Sequence, residues 1–255
     1  MDEFFRPATP EDTEKFQQVK NLVLSGSGNT EGIGTLSEKL THRLIKNFLT
    51  CDTKYHEVGL GNYVADVYDG DHIYEVQTRN FGKLKSKLST FLDIAPVTVI
   101  YPVTVNNELN WIDPESGEIK EKRKSGKHGK ASDIFKELVF IRDFMQDPNL
   151  DFWVMFFNSA DYRLLDGYGR DNKKRASKLD RIPVEYLGDW KISGKYELLE
   201  FIPDTLPEEF TAKDFCENSS LNRDMAGKAV SVLNAAGLIE QVGKDGRAYV
   251  YRRCG

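Results

Sequence analysis

The sequence predicts an α/β fold, a mixed central sheet flanked by helices, followed by a smaller unit of two helices and a hairpin. Three observations carry this reading. Helical and extended patterns alternate through most of the chain. Ala95-Pro96-Val97-Thr98-Val99-Ile100-Tyr101 and Phe152-Trp153-Val154-Met155-Phe156-Phe157 are near-continuous apolar runs of strand length, as expected of strands covered on both faces. Around Pro203 to Pro207 the composition changes, and a compact tail begins.

Element by element, residues 1–34 are polar and carry Ser25-Gly26-Ser27-Gly28-Asn29, which reads as a short helical or irregular arm and a flexible linker. That Gly/Ser stretch lacks the Gly-Lys-Ser/Thr ending of a phosphate loop. Thr35-Leu36-Ser37-Glu38 forms a capping box, and Leu36, Leu40, Leu44 and Phe48 recur at helical spacing behind it. Strands are expected over Tyr55 to Gln77 and a helix over Phe81 to Leu92, with Leu84, Leu88 and Phe91 or Leu92 buried. The first apolar run then gives a strand, Asp133 to Met145 a helix, and the second run another strand. In the tail, helices are expected over Phe210 to Phe215 and Asn222 to Ala236, the latter with Ala226, Val230 and Leu233 inward. Strands at 237–242 and 248–252 surround the turn Gly243-Lys244-Asp245-Gly246-Arg247. The expected divisions are therefore 1–34, 35–203 and 204–255.

A chain of 255 residues, 40% hydrophobic and 29% charged, suits a globular protein with a substantial core. Its formal charge of −5 gives no overall attraction to nucleic acid, so any such binding has to come from local patches. No apolar run approaches the roughly 20 residues that span a bilayer, and Met1 to Pro10 has no signal-peptide core, which points to the cytoplasm and away from membranes. Cys51, Cys216 and Cys254 are widely separated and read as reduced thiols rather than a zinc site.

The richest segment is Tyr63 to Gln77. Asp69-Gly70-Asp71 is a tight-turn signal between β-branched and aromatic flanks. With Gly70 and Asp71 as the turn, Asp69 pairs with His72 and Asp66 falls opposite Glu75; with Asp69 and Gly70 as the turn, each pairing shifts by two residues and the faces are preserved. Strand alternation then puts Asp66, Glu75 and Gln77 on one face with Val64 and Ile73, and Ala65, Val67, Tyr74 and Val76 on the other. Opposed carboxylates destabilise a hairpin unless an acid holds its proton, a cation lies close, or a divalent metal binds. An ordinary acidic, half-solvated face is the competing reading.

An acid on one strand followed by Glu75-Val76-Gln77 on the next resembles the core motif of the PD-(D/E)xK nucleases, which have a restriction-endonuclease-like fold. Gln77 stands where that family usually has Lys. The flanking order of helix, hairpin, helix and buried strand is similar too. The resemblance implies that Asp66 and Glu75 hold Mg²⁺ or Mn²⁺, that Glu57 or Glu38 assists, and that Gln77 positions water. Arg79, two residues past Gln77, would orient the phosphate and supply the charge that Gln77 lacks, or else neutralise Asp66 and Glu75 without any metal. Lys83, Lys85 and Lys87 follow on the next helix. The tail, with its Ala-Gly-Leu-Ile turn and a hairpin ending in Tyr-Val-Tyr-Arg-Arg, resembles a winged helix. Over about 50 to 205, phrases such as Trp111-Ile112-Asp113-Pro114 and Tyr162-Arg163-Leu164-Leu165-Asp166-Gly167-Tyr168 look like an uncharacterised prokaryotic family that brings no established activity.

Two basic segments supply local positive charge. Glu118 to Lys130 has six Lys or Arg against two Glu, and Arg170 to Arg181 has six against two Asp. Lys122, Arg123, Lys124, Lys127, Lys173, Lys174 and Arg175 are the candidates there for neutralising phosphates. Arg223, Lys228, Ser231 and Asn234 on the outer face of the second tail helix, with Lys244 and Arg247 in the hairpin, are candidates for reading a DNA groove. The leading expectation is a metal-dependent DNA endonuclease targeted by a winged helix. The alternatives are a DNA-binding module with an inactive nuclease fold, or a protein-interaction adaptor; a homodimer or larger assembly stays open.

Overall fold

The computed structural model describes residues 5–25, 40–168 and 174–254. The N-terminal segment opens with β1 (Arg6–Pro7) and α1 (Pro10–Ser25). Thr9 and Asp12 cap α1 reciprocally, the Asp12 N–H donating to Thr9 Oγ1 (3.1 Å) and the Thr9 N–H to Asp12 Oδ2 (3.0 Å). Next come α2 (Leu40–Leu49), β2 (His56–Leu60), β3 (Tyr63–Tyr68), β4 (Ile73–Val76), α3 (Lys85–Phe91), β5 (Val97–Ile112) and β6 (Ile119–Lys124). A short α4 (Phe135–Leu138) leads to β7 (Leu150–Leu164) and β8 (Ser177–Ile192). The tail comprises β9 (Glu209–Thr211), α5 (Ala212–Asn218), α6 (Arg223–Ala235), β10 (Ile239–Asp245) and β11 (Ala248–Arg253).

The main sheet is mixed and eight-stranded, in the order β1-β8-β7-β5-β4-β3-β2, with β6 on β5. β4, β5 and β7 run parallel, while β2/β3, β3/β4, β5/β6, β7/β8 and β8/β1 pair antiparallel. Side-chain alternation divides its apolar residues between two layers. Ile73, Val97, Val99, Phe152 and Val154 pack with α3 and α4, and Val76, Ile100, Met155 and Phe157 pack with α1 and α2.

β5 borrows its edge partners in sequence. β4 covers Val97 to Ile100, and β6 covers Glu108 to Ile112. The stretch between them is approached by the loop after β6, where the Gly129 N–H donates to Thr104 O (2.9 Å). A Cβ at position 129 would fall on that carbonyl and on Val103, so only glycine allows the loop to sit this close.

Several sequence expectations change here. The N-terminal arm is part of the domain: β1 pairs with β8, and Phe16, Val19 and Val23 of α1 are buried. It is anchored by Asp189, 1% exposed, which receives both Nε (2.8 Å) and Nη2 (2.9 Å) of Arg6 as well as Trp153 Nε1 (2.9 Å) and Tyr186 Oη (2.8 Å). The expected helices over 81–92 and 133–145 are each broken by 3₁₀ turns, and Phe210 belongs to β9 rather than to a helix. Short packing surfaces are met by single turns, which apolar spacing does not separate from helices. The tail forms a three-stranded sheet in the order β10-β11-β9 around α5 and α6, and its apolar residues join the core of the main sheet. Arg142 donates to Ser231 Oγ (2.9 Å) and Gln146 to Ala235 O (2.8 Å), which fixes α6 against the segment after α4. The capping box at 35–38 and residues 26–34 of the expected linker lie outside the described residues, while Ser25 ends α1.

Candidate functional site

The β3–β4 hairpin turns at Gly70-Asp71. Gly70 has a φ of 107°, which a side chain resists, and the Asp69 carboxylate accepts from the backbone N–H of Asp71 (3.0 Å) and His72 (2.8 Å). Val67 pairs with Tyr74 and Tyr68 with Ile73, the register in which Asp66 lies opposite Glu75. There the backbone ladder stops and the acids replace it. The Asp66 N–H donates to Glu75 Oε1 (3.1 Å), and the Val76 N–H donates to Asp66 Oδ2 (2.7 Å). Each carboxylate thus satisfies the backbone of the opposite strand, in a gap opened as β3 leaves β4.

That divergence corrects the expected faces. Ile73 and Glu75 do share the α3 side of the sheet, but Ala65, expected with Tyr74 and Val76, packs in the same cluster as Ile73. Glu57 is kinked at a φ of 53° in the β2 position facing Asp66, and its side chain pairs with Lys46 of α2 (3.0 Å), across the sheet from α3. It does not join Asp66 and Glu75. Glu38 lies outside the described residues.

Glu75 is 2% exposed. Burial first, and then the charge of Asp66, push its carboxyl up to about 7, against the pull of Lys87. Lys87 Nζ, from α3, donates to Glu75 Oε2 at 2.7 Å. Sequence reasoning assigned the compensating cation to Arg79 and water positioning to Gln77, and the structure separates both from the acids. The Gln77 Nε2 donates to Arg79 O (2.5 Å), and Arg79 is exposed at the edge of a separate groove. The helical position of Lys87, one turn before the buried Leu88–Phe91 stripe ends, is the only sequence signal for its role. Among the described residues no three His, Cys, Asp or Glu side chains converge on a metal position, so the hairpin offers two carboxylates.

The second feature is a groove of about 1160 Å³ over the upper parts of β5, β7 and β8, bounded by Thr78 and Arg79 just past β4. At its floor Asp161, 2% exposed, receives Arg181 Nε (2.5 Å) and Nη2 (3.1 Å), with Lys178 and Arg163 at 3.8 and 3.9 Å. Burial works against its charge, but Arg181 and Lys178 outweigh burial and hold the carboxyl below its usual range.

The predicted basic residues divide between this groove and the outer surface. Arg123 and Lys127 line the groove. Lys122 and Lys124 stand exposed on β6, Lys122 within 3.8 Å of Glu108. Lys174 pairs with Glu121 and lies 3.9 Å from the centre of the Trp111 ring, which Arg123 also approaches (5.8 Å), so the two basic segments meet around one indole. Arg175 is exposed with a φ of 44°, and Lys173 lies outside the described residues. The convergence of Arg163, Lys178 and Arg181 has no local sequence signal, because it depends on the pairing of β7 with β8.

On α6, Arg223 is exposed at the first turn and Lys228 pairs with Asp224 (2.6 Å). Ser231, expected outward, is half-buried and held by Arg142, while Asn234 on the same helix is exposed. Arg247 is exposed at the β10–β11 turn. Among the described residues no helix is long and apolar enough to cross a membrane.

Residues 39–193 match a family model described as Domain of unknown function (DUF8091). An uncharacterized protein of Treponema pallidum (strain Nichols) is 28% identical over 222 residues, 87% of each chain, so its likeness runs beyond the family match. No solved structure matches significantly.

Proposed function

The chain belongs to the DUF8091 family, whose description assigns no chemistry, and from its own side chains we propose a metal-dependent hydrolase of DNA phosphodiesters. The observation that carries this reading is the trio Asp66, Glu75 and Lys87, two carboxylates facing across a hairpin with an ammonium 2.7 Å from one of them. The PD-(D/E)xK resemblance asks for an acid, a second acid and a lysine. Here the lysine comes from α3 in place of position 77. The order α2, β2–β3–β4, α3 and then β5 parallel to β4 supports a restriction-endonuclease-like reading of the main sheet, and β9-α5-α6-β10-β11 supports a winged-helix reading of the tail.

The residues fit a magnesium or manganese ion. Mg²⁺ is commonly held by one or two carboxylates, its remaining positions taken by water and substrate phosphate. Asp66 and Glu75 would hold it; burial first, and then the charge of Asp66, raise the Glu75 carboxyl, and a cation between the two acids would offset that repulsion. When bound, the ion lowers the pKa of water and offsets charge on the phosphate. Asp66 and Glu75 keep their orientation through the opposite strand's N–H groups. Lys87, its side chain 23% exposed, would donate from its ammonium to a phosphate oxygen or the attacking water.

The test is cleavage of labelled single- and double-stranded DNA with Mg²⁺ or Mn²⁺ by the parent, Asp66→Ala, Glu75→Ala and Lys87→Met. Parent activity lost in all three variants supports the reading. Parent-level cleavage by Asp66→Ala sinks it. A second reading, a DNA-binding scaffold without cleavage, is favoured by the diversion of Gln77 into its own turn. Salt-sensitive DNA binding with no cleavage under any metal would select it.

A further inference from the structure

We infer that the groove above β5, β7 and β8 is a seat for one strand of nucleic acid, with Arg163 and Lys178 holding a phosphate over the Asp161 floor. The inference rests on the nucleic-acid reading above, but on different side chains from the hairpin trio. Seven Lys or Arg line this groove against three Asp, in a chain whose net charge is −5. The three acids are already engaged. Asp133 caps the turn at Lys130 and pairs with Lys136, and Asp180 accepts from the Leu40 and Arg181 N–H groups. Asp161 takes both guanidinium bonds from Arg181. Positive charge therefore remains for a ligand.

Polar capacity on the floor also remains. Asn107, 8% exposed, bonds Asp161 yet leaves its Oδ1 without a partner among the described residues, and so does Arg163 Nε. The strand order β6, β5, β7, β8 places Arg123 and Lys127 along one side and Lys178 and Arg181 along the other. Cations on both sides of a channel clasp a single backbone, whereas a duplex meets protein cations from outside its rod. The volume of about 1160 Å³ exceeds the ~300–1,000 Å³ of ordinary small-ligand pockets and suits several nucleotides. The groove begins at Thr78 and Arg79, directly past the strand that carries Glu75, which would lead a bound strand toward the hairpin.

The experiment measures binding of a labelled oligothymidylate of about 20 nucleotides in EDTA, across a salt series, by the parent and the triple variant Lys127→Gln, Arg163→Gln, Lys178→Gln. A matching duplex and inorganic pyrophosphate are run as competitors, and melting temperatures confirm that the variant is folded. At low salt the variant should bind at least tenfold more weakly, with a log–log salt slope shallower by about 2, from about 0.7 per lost phosphate contact on a single strand. Equal binding by the folded variant overturns the inference, as does absence of oligonucleotide binding by the parent. Duplex binding as tight as single-strand binding, or displacement of the strand by equimolar pyrophosphate, also overturns it. Because no metal is present, the hydrolase reading is judged separately. Groove-dependent binding without cleavage leaves this inference standing and removes that one; cleavage with groove-independent binding does the reverse.

Discussion

Replacing Glu75 by Gln should stabilise the protein at neutral and higher pH while removing the metal-dependent activity proposed above. Glu75 is buried beside Asp66, and its carboxyl rises from 4.5 to about 7 in the fold. A raised folded pKa contributes stability that is complete below about pH 4.5 and is lost as pH climbs through 7. At about 1.4 kcal/mol per pKa unit the loss is on the order of 3 kcal/mol. Gln keeps an oxygen for the Asp66 N–H and carries no charge to desolvate, while the partly exposed Lys87 can turn to water. Urea unfolding at pH 4.5, 6 and 8 should show parent and variant nearly equal in acid, with the variant ahead by roughly 2 to 3 kcal/mol at pH 8. Adding Mg²⁺ at pH 8 should raise the parent's melting temperature and leave the variant's unchanged. A variant less stable than the parent at pH 8, or a difference that does not change with pH, would refute the argument that burial and repulsion load this carboxylate.

Three further outcomes follow from the same reasoning. Lys87→Met should reduce cleavage at least about a hundredfold while Lys87→Arg retains part of it, read from single-turnover rates, since only the charged donor is removed in the first. Arg6→Ala should cost about 2 to 3 kcal/mol near pH 7 in urea unfolding, because Asp189, 1% exposed, keeps only the Trp153 and Tyr186 donors. Burial opposes the charge of Asp189, but Arg6 and the two neutral donors hold its carboxyl below the usual range. Its contribution is therefore present above about pH 4 and fades as pH falls through the lower folded value, so the gap between parent and Arg6→Ala should close in acid. Gly188→Ala should cost at least about 2 kcal/mol and expose α1 to proteolysis, because position 188 has a φ of 138° and its Cβ would fall on the Arg6 carbonyl.

The sequence alone determined the features that rest on local chemistry. Asp69-Gly70-Asp71 specifies a tight turn but allows two registers two residues apart, and the structure takes the Gly70-Asp71 turn that sets Asp66 opposite Glu75. The apolar runs at 97 and 152 specify buried parallel strands, and Ala226, Val230 and Leu233 specify the inner stripe of α6. Only the tertiary structure decided which cation meets Glu75. Arg79 is nearer in sequence, but the packing of Leu84, Leu88 and Phe91 rotates α3 so that Lys87 reaches the acid, while Gln77 folds back on its own turn. The Asp161 cluster is of the same kind: it joins β5, β7 and β8, whose alignment depends on bulges near Asn106, Ser159 and Arg163. Short-range signals act through a few dihedrals of one segment. A side chain's partner on another element depends on the summed packing of both, and no single stretch of sequence encodes that sum.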